Sequence, residues 1–250
     1  MQDKLPLHKG VYILPNLFTT ASLFTGFMAI VWASAGRFEM AAVGVLFSAL
    51  MDGLDGKVAR LTRTSSEFGV QYDSLADLVA FGVAPGFMIY IWMLKPYGRF
   101  GIAAAFLFAT CSALRLARFN VSATTGGSKK FFTGMPTPAA GCTLATFVFF
   151  EPYLPKFLQP AVPGFVLFLT ILLAILMVSR IRYYSFKEYG FISAHPFSSM
   201  VTAILFFVLI ISAPKLLGFI TFFSYLAAGI VYTFGFLPKK IQFPVNKIVP

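Results

Sequence analysis

Long apolar runs recur from one end of the chain to the other, and they restrict its fold more than any other feature. An α-helix needs about 20 predominantly apolar residues to cross the hydrocarbon core of a bilayer. Eight segments meet or approach that length, so we expect an all-α, polytopic membrane bundle of about eight transmembrane helices. The expected limits are 15–34, 38–60, 68–93, 99–118, 137–153, 162–178, 196–212 and 216–236.

The composition agrees with a membrane protein and excludes a soluble domain. Hydrophobic residues make up 58% of the chain and charged residues 12%, and the mean hydropathy is +0.80. A soluble protein of this size buries only about 70–75% of the surface that its unfolded chain exposes, so lipid has to cover the remaining apolar surface. No connection between the runs is long enough to separate domains, and we expect residues 1–250 to form one integral membrane domain.

The basic residues indicate the orientation of the chain rather than a nucleic-acid partner. The formal net charge is +11, but Lys and Arg lie between apolar runs instead of on a soluble face, so we expect no nucleic-acid binding. If the N-terminus is cytoplasmic and each helix crosses once, fifteen of the twenty Lys and Arg residues fall on the cytoplasmic side. This asymmetry predicts that both termini face the cytoplasm, in a cell inner or plasma membrane.

Four of the nine acidic residues lie within 26 consecutive positions, near the ends of apolar runs. Asp52 and Asp55 are spaced i, i+3, and Asp73 and Asp77 are spaced i, i+4, so each pair projects from one face of its helix. The segment between the pairs is polar enough to turn in the cytoplasm. The spacing therefore predicts a helical hairpin over residues 38–93, with all four acids at one membrane depth.

Four ionised carboxylates in one place repel each other, and near lipid they are stable only with cations or protons between them. Ion pairing with Lys57 and Arg60 is the simpler alternative, but two cations leave two acids uncompensated, and carboxylates inside a membrane mark functional sites by default. Oxygen-only ligands favour hard divalent ions. We therefore expect two Mg²⁺ or Mn²⁺ ions, with Ca²⁺ as an alternative occupant.

Small residues accompany the acids on the same helix faces. Gly56 lies one turn after the first acid of the first pair, and Gly69 lies one turn before the first acid of the second. A missing side chain lets a ligand approach the backbone. Ala59 is similarly small, and Arg60 supplies a fork of donors suited to phosphate.

The acids and small residues together resemble the signature of the CDP-alcohol phosphatidyltransferase family, and its eight defining positions all match. The resemblance implies a bundle of membrane helices, usually dimeric, with a cytoplasm-facing pocket in which a CDP-linked lipid meets metal ions. It implies that Asp52, Asp55 and Asp73 bind metal. It also implies that Asp77 shares a metal and is the base that deprotonates the acceptor hydroxyl. The signature reads Asp52-x2-Asp55-Gly56-x2-Ala59-Arg60-x8-Gly69-x3-Asp73-x3-Asp77.

The same resemblance implies which residues bind the donor, CDP-diacylglycerol. Most of them belong to the signature, and a short pattern beginning at Pro15 adds two residues at the nucleotide end of the pocket. The implied donor-binding residues are Asn16, Thr19, Asp52, Gly56, Ala59, Arg60 and Gly69.

A second stretch resembles the family members that use serine as the acceptor. It covers residues 114–120 and continues over 132–140. Arg115 and Arg118 lie one turn apart, and together with Asn120 they are suited to bind the acceptor carboxylate or the lipid phosphate. The alternative is that both arginines are only flanking charges of a cytoplasmic helix end.

The implied function is transfer of a phosphatidyl group from CDP-diacylglycerol to the hydroxyl of L-serine, which yields phosphatidylserine and CMP. Alternatives within the family use glycerol 3-phosphate, an inositol phosphate or choline as the acceptor. A cation transporter could also place four aspartates in a helical bundle. That function predicts acids near the bilayer midplane and an inverted repeat, and no such repeat is visible in the sequence.

Overall fold

The structure is a computed structural model that describes residues 13–62, 66–124, 131–179, 181–184 and 214–231. The described part confirms an all-α membrane bundle; six of the eight expected helices fall within it, and the last is described as far as Val231. The remaining one, expected at 196–212, lies outside the described residues, so the count of eight stays a prediction. The described helices are α1 (Ile13–Ser34), α2 (Phe38–Thr62), α3 (Glu67–Tyr97), α4 (Arg99–Thr124), α5 (Thr137–Phe150), α6 (Val162–Val178) and α7 (Pro214–Val231).

One short strand pair was not expected from the sequence. β1 (Phe131–Thr133) pairs with β2 (Arg182–Tyr184) in antiparallel register, with Phe132 opposite Tyr183. Each strand has three residues, which is too short for an alternating pattern to be recognised. The pair joins the segment before α5 to the segment after α6.

Four helical segments of the described residues are long and apolar enough to cross a membrane, the last of them made of α6 and the 3-10 turns Lys156–Ala161 that precede it. Large apolar side chains on their surfaces remain exposed, among them Phe24, Phe100 and Phe168. Such surfaces are unfavourable in water but suit contact with lipid tails. Together with the mean hydropathy, this makes the chain an integral membrane protein. The four spans are Asn16–Ser34, Glu67–Tyr97, Arg99–Ser122 and Lys156–Val178.

Helices α1 to α6 alternate in direction, and two of the connections are tight turns. Gly36, between α1 and α2, has a φ of 75°, and Gly98, between α3 and α4, has a φ of 54°. Glycine adopts such left-handed conformations without steric penalty. The alternation brings the first residues of α1, α3 and α5 together with the last turns of α2, α4 and α6. We call this the aspartate end of the bundle, because Asp52, Asp55 and Asp73 lie there.

Helix α3 is irregular, and the irregularity begins next to the acids. Its N-cap is Ser66, whose Oγ accepts a hydrogen bond from the backbone N–H of Gly69 at 3.0 Å. The helix is regular from Glu67 to Asp77 and then forms wider π turns over Leu78–Val83 and again over Tyr90–Leu94. Proline lacks the N–H that a regular helix needs, and Pro85 lies between the two π segments.

Small residues let α1 approach α3 closely, whereas aromatic residues fill the core elsewhere. A Cβ added at Gly26 would lie 2.7 Å from Cα of Ala80, so only glycine fits at that crossing. Phe147 of α5 is fully buried, and its ring lies 5.6 Å from that of Phe165 and 5.0 Å from that of Phe219. These ring contacts attach α6 and α7 to α5.

Candidate active site

Three carboxylates from two helices meet at the aspartate end. Asp52 and Asp55 come from the second half of α2, and Asp73 comes from the second turn of α3. One ligand oxygen from each of the three lies within 4.8 Å of the others. We call these residues the aspartate triad. The hairpin expected from the spacing therefore brings three of the four clustered acids together.

The first helix also reaches the triad. Thr19 Oγ1 donates a hydrogen bond of 2.9 Å to Oδ2 of Asp55. Thr19 is 4% exposed and Asp55 is 6% exposed, so this bond lies out of contact with bulk water. The structure thus places Thr19, which the sequence assigned to the donor pocket, against one of the triad carboxylates.

Asp77 lies one helical turn after Asp73 and outside the triad. It is 8% exposed, and it interacts electrostatically with Asp52, Asp73 and Asp55 as well as with Arg115. A buried carboxylate between other acids and a cation is suited to proton transfer. Its further role as a metal ligand stays a prediction.

The donor atoms of the triad fit a hard divalent cation. All three are carboxylate oxygens, which are the ligands that Mg²⁺, Mn²⁺ and Ca²⁺ prefer. Negative charges at this separation repel each other, and a cation between them removes the repulsion. The triad therefore could hold a metal ion.

A cavity of about 190 Å³ lies beside the triad, between α3, α4 and the start of α5. Its polar lining comes from Asp73, Ser74, Asp77, Arg115 and Asn120. The lining combines acids, a cation and neutral hydrogen-bonding groups, as expected of a site for a small polar molecule. Its apolar wall consists of Val70, Leu116, Phe119, Pro136 and Pro138.

Arg115 is the cation of this cavity. It is 8% exposed, and its Nη1 donates a long hydrogen bond of 3.4 Å to Oγ1 of Thr137 at the start of α5. Its guanidinium carbon lies 5.6 Å from the ring centre of Phe119, within the range of a cation–π contact. It also interacts electrostatically with Asp77 and with Tyr225 of α7.

Arg118 is directed toward α6 instead. Its Nη1 donates to the carbonyl oxygen of Val178 at 3.0 Å, and its Nη2 donates to those of Met177 at 3.0 Å and Ser179 at 3.3 Å. These carbonyls belong to the C-terminal end of α6, where helix backbone oxygens lack partners within the helix. Arg118 is not among the residues that line the cavity, as far as the described ranges show.

Asn120 is attached to α3. Its Nδ2 donates to Oε1 of Gln71 at 3.1 Å and to Oγ of Ser74 at 3.0 Å, and Ser74 Oγ lies 3.3 Å from Asn120 Oδ1. Ser74 follows Asp73 directly in the sequence. These bonds join α4 to the helix turn that carries Asp73.

The predicted donor residues differ in their surroundings. A Cβ added at Gly56 would meet no atom within 4 Å, whereas one at Gly69 would meet Ser66 Oγ at 3.1 Å and Asn16 Oδ1 at 3.6 Å. The space at Gly56 is therefore open, and the space at Gly69 is taken by the protein. Ala59 and Arg60 belong to α2, but their side chains lie outside the described part of the chain.

Sequence reasoning missed several residues of the site. Gln71 and Ser74 accept hydrogen bonds from Asn120. Gln71 lies two residues before Asp73 and Ser74 one residue after it, and this closeness to a signature acid was the available sequence signal. Phe119, whose ring lies beside Arg115 and lines the cavity, stands in the sequence between two predicted acceptor residues, Arg118 and Asn120. Tyr225 had no sequence signal, because it is more than one hundred residues from Arg115 along the chain.

Comparisons with known proteins agree with the signature. Residues 12–178 match the family described as CDP-alcohol phosphatidyltransferase, and this stretch includes the triad, Asp77 and Arg115. A CDP-diacylglycerol--serine O-phosphatidyltransferase of Helicobacter pylori (strain ATCC 700392 / 26695) is 40% identical over 237 residues, which cover 95% of this chain and 97% of that protein.

Two further proteins are also similar. An archaetidylserine synthase of Methanothermobacter thermautotrophicus is 36% identical over 172 residues, covering 68% of this chain and 69% of that protein. A CDP-diacylglycerol--serine O-phosphatidyltransferase of Methanocaldococcus jannaschii is 32% identical over 184 residues, covering 74% and 80%. Since the match spans more than half of the chain and includes the buried acids at the aspartate end, this membrane protein is an enzyme that belongs to the CDP-alcohol phosphatidyltransferase family.

Proposed function

We propose that this protein is a phosphatidylserine synthase, which transfers the phosphatidyl group of CDP-diacylglycerol to the hydroxyl of L-serine and releases CMP. The names of the relatives from Helicobacter and Methanocaldococcus support this activity. The structural observation that carries the proposal is that Asp77 and Arg115 line one small cavity beside the aspartate triad. We propose further that residues 1–250 form one catalytic domain.

The charges of the cavity favour serine over the other acceptors. Among the described residues, its lining contains one cation, Arg115, and two acids, Asp73 and Asp77. Serine carries a carboxylate for Arg115 and an ammonium group for the acids. Glycerol 3-phosphate and inositol phosphates would bring further negative charge toward the acids, and choline has no carboxylate to offer Arg115.

In the proposed reaction, the serine hydroxyl oxygen attacks the phosphorus of the phosphatidyl group. Asp77 accepts the hydroxyl proton during the attack. The bond between that phosphorus and the bridging oxygen of the diphosphate breaks, and CMP leaves with the bonding electrons. Arg115 holds the serine carboxylate, which keeps the hydroxyl oriented for the attack.

The triad completes the proposed site. Asp52, Asp55 and Asp73 would hold divalent cations, Mg²⁺ or Mn²⁺, and Asp77 would share one of two such ions. When bound, these cations would neutralise the diphosphate and polarise the phosphorus under attack. Thr19 orients Asp55 through its hydrogen bond, and a fixed ligand orientation supports metal affinity.

The membrane setting suits a lipid donor. The acyl tails of CDP-diacylglycerol would remain among the apolar helix surfaces, while its headgroup reaches the aspartate end beside the open space at Gly56. Asn16, Ala59 and Arg60 are the remaining proposed donor contacts, together with Gly69, where Ser66 and Asn16 occupy the space that a side chain would take. We place the aspartate end in the cytoplasm, because the expected distribution of Lys and Arg favours that side. A homodimer is the proposed assembly.

Product analysis tests the function. The purified protein is incubated with CDP-diacylglycerol, L-serine and Mg²⁺ or Mn²⁺, and CMP and lipid products are measured. We expect serine-dependent CMP release and formation of phosphatidylserine. Parallel incubations contain glycerol 3-phosphate, inositol phosphate or choline, and a lipid product from one of these but not from serine would contradict the proposal.

The role of Asp77 is tested separately. Asp77→Asn preserves shape but removes the base, and we expect kcat to fall by about 100-fold or more. The matched control is Glu67→Gln, an exposed acid in the first turn of the same helix, which should retain turnover. Full activity of Asp77→Asn would exclude Asp77 as the base.

A further inference from the structure

On the basis of the proposed use of serine, we propose that Arg118 is a positioning residue. It holds the wall of the acceptor cavity against the C-terminal end of α6 and does not bind the acceptor itself. Three of its hydrogen bonds go to the carbonyls of Met177, Val178 and Ser179. A guanidinium that donates to unpartnered carbonyls at a helix end also opposes the negative end of the helix dipole. Its fork is therefore directed at α6.

The same helix end holds the segment that precedes α5. The backbone N–H of Met135 donates to the carbonyl of Leu176 at 3.0 Å, and the N–H of Gly134 donates to that of Ile181 at 2.8 Å. The next residues, Pro136 to Pro138, begin α5 and supply both prolines of the cavity wall. Movement of the α6 end would thus move the wall.

Gly134 shows how closely these groups pack. Its φ is 84°, a conformation that favours glycine. A Cβ at this position would collide with the carbonyl oxygen of Met177 and would lie 2.6 Å from Nη2 of Arg118. The glycine, the arginine and the helix end therefore form one packed junction.

The junction also supports Arg115. Thr137, which accepts the hydrogen bond of Arg115, is the first residue of α5 and lies three positions after Gly134. Arg115 and Arg118 thus have different tasks on one face of α4. Arg115 lines the cavity, and Arg118 fixes the segment that Arg115 contacts.

Kinetics with two acceptors test this assignment. L-Serinamide replaces the carboxylate of serine by a neutral amide, so the ratio of kcat/KM for serine to that for serinamide measures carboxylate recognition. For Arg118→Met, we expect KM for serine to rise about tenfold. KM for CDP-diacylglycerol and the serine to serinamide ratio should change by less than about twofold. For Arg115→Met, we expect a large decrease in the ratio of kcat/KM for serine to that for serinamide.

Hydrogen exchange gives a readout that does not depend on activity. In the full chain in detergent, Arg118→Met should accelerate amide exchange in peptides that contain Gly134, Met135 and the end of α6. Arg118→Lys should restore part of the protection, because an ammonium group can reach fewer carbonyls than the guanidinium fork. Arg99→Met, at the other end of α4, is the matched control and should leave exchange in these peptides unchanged.

The outcomes separate the alternatives. If Arg118→Met lowers the ratio of kcat/KM for serine to that for serinamide and does not accelerate amide exchange, Arg118 binds the acceptor and the inference is wrong. Unchanged KM for serine and unchanged amide exchange would also overturn it.

If Arg118→Met does not fold, Gly134→Ala tests the same junction and should raise KM for serine in the same way. An unchanged KM would refute the inference. A wild-type protein that makes no phosphatidylserine would refute the proposed function alone, since the exchange experiment still decides the junction.

Discussion

Thr19 Oγ1 donates a 2.9 Å hydrogen bond to Oδ2 of Asp55, and both side chains are shielded from water. The bond connects the first helix to an aspartate that is proposed to bind metal. A hydroxyl that donates to one oxygen of a carboxylate restricts its rotation and leaves the other oxygen available to a ligand. Residues that orient ligating carboxylates in this way affect metal affinity without touching the metal.

Thr19→Val should therefore weaken metal binding. The substitution keeps the shape but leaves Asp55 without this donor, and we expect the affinity for Mn²⁺ to fall about tenfold or more. Mn²⁺ titration followed by electron paramagnetic resonance measures the change. Thr19→Ser retains the hydroxyl and should remain near wild type. Equal Mn²⁺ affinity in the Val and Ser variants would show that the bond does not orient a ligand.

Removal of divalent cations should lower the thermal unfolding temperature. The triad places three carboxylate oxygens within 4.8 Å of one another, and ligands that bind only the folded state stabilise it. Unfolding in detergent is compared with excess Mg²⁺ and with a chelator. Asp73→Asn should show a smaller difference between the two conditions. A difference as large as that of the wild type would place the bound ion elsewhere.

Gly56→Ala and Gly53→Ala should have different effects although the two glycines have similar surroundings. A Cβ at either position meets no atom of the protein within 4 Å, and alanine favours a helix by up to about 1 kcal/mol over glycine. Neither variant should unfold earlier than the wild type. If the donor occupies the space at Gly56, only Gly56→Ala should lose kcat/KM for CDP-diacylglycerol, by about tenfold. Equal kinetics of both variants would remove Gly56 from the donor site.

Gly26→Ala should destabilise the fold. Its Cβ would lie 2.7 Å from Cα and 2.9 Å from Cβ of Ala80, so α1 and α3 would have to move apart. Overpacking of this kind costs about 1–3 kcal/mol. Thermal unfolding in detergent measures the loss, and Gly53→Ala is again the control. An unfolding temperature equal to that of the wild type would mean that the crossing of α1 and α3 can relax freely.

Several features could be predicted because they depend on neighbours in the sequence. The membrane helices follow from continuous apolar runs, and α6 has the limits expected for it, Val162–Val178. The approach of Asp52 and Asp55 to Asp73 follows from helical spacing and one short turn. The sequence predicts that α4 ends at Arg118, because the charges there resemble a helix flank, and this is too early: no helix breaker occurs before Thr124, where the helix ends.

Other features depend on which distant groups meet. Arg115 and Arg118 look equivalent in sequence, one turn apart on the same helix, yet one lines the cavity and the other donates to carbonyls of α6 about sixty positions away. The sequence predicts that Thr19 contacts the donor, which stays a prediction, and only the structure shows that its hydroxyl donates to Asp55. The pair formed by β1 and β2 gave no recognisable pattern.

The sequence by itself determined a membrane bundle with a cluster of acids at one end, since apolar length and helical spacing are local properties that require no knowledge of partners. The tertiary structure alone decided which polar groups are partners in hydrogen bonds and ion pairs. In a low-dielectric interior an unpaired donor or acceptor is costly, and the partner that it finds is selected by helix packing across the bundle. The separate positions of Asp77, Arg115 and Arg118 therefore became visible only in the folded protein.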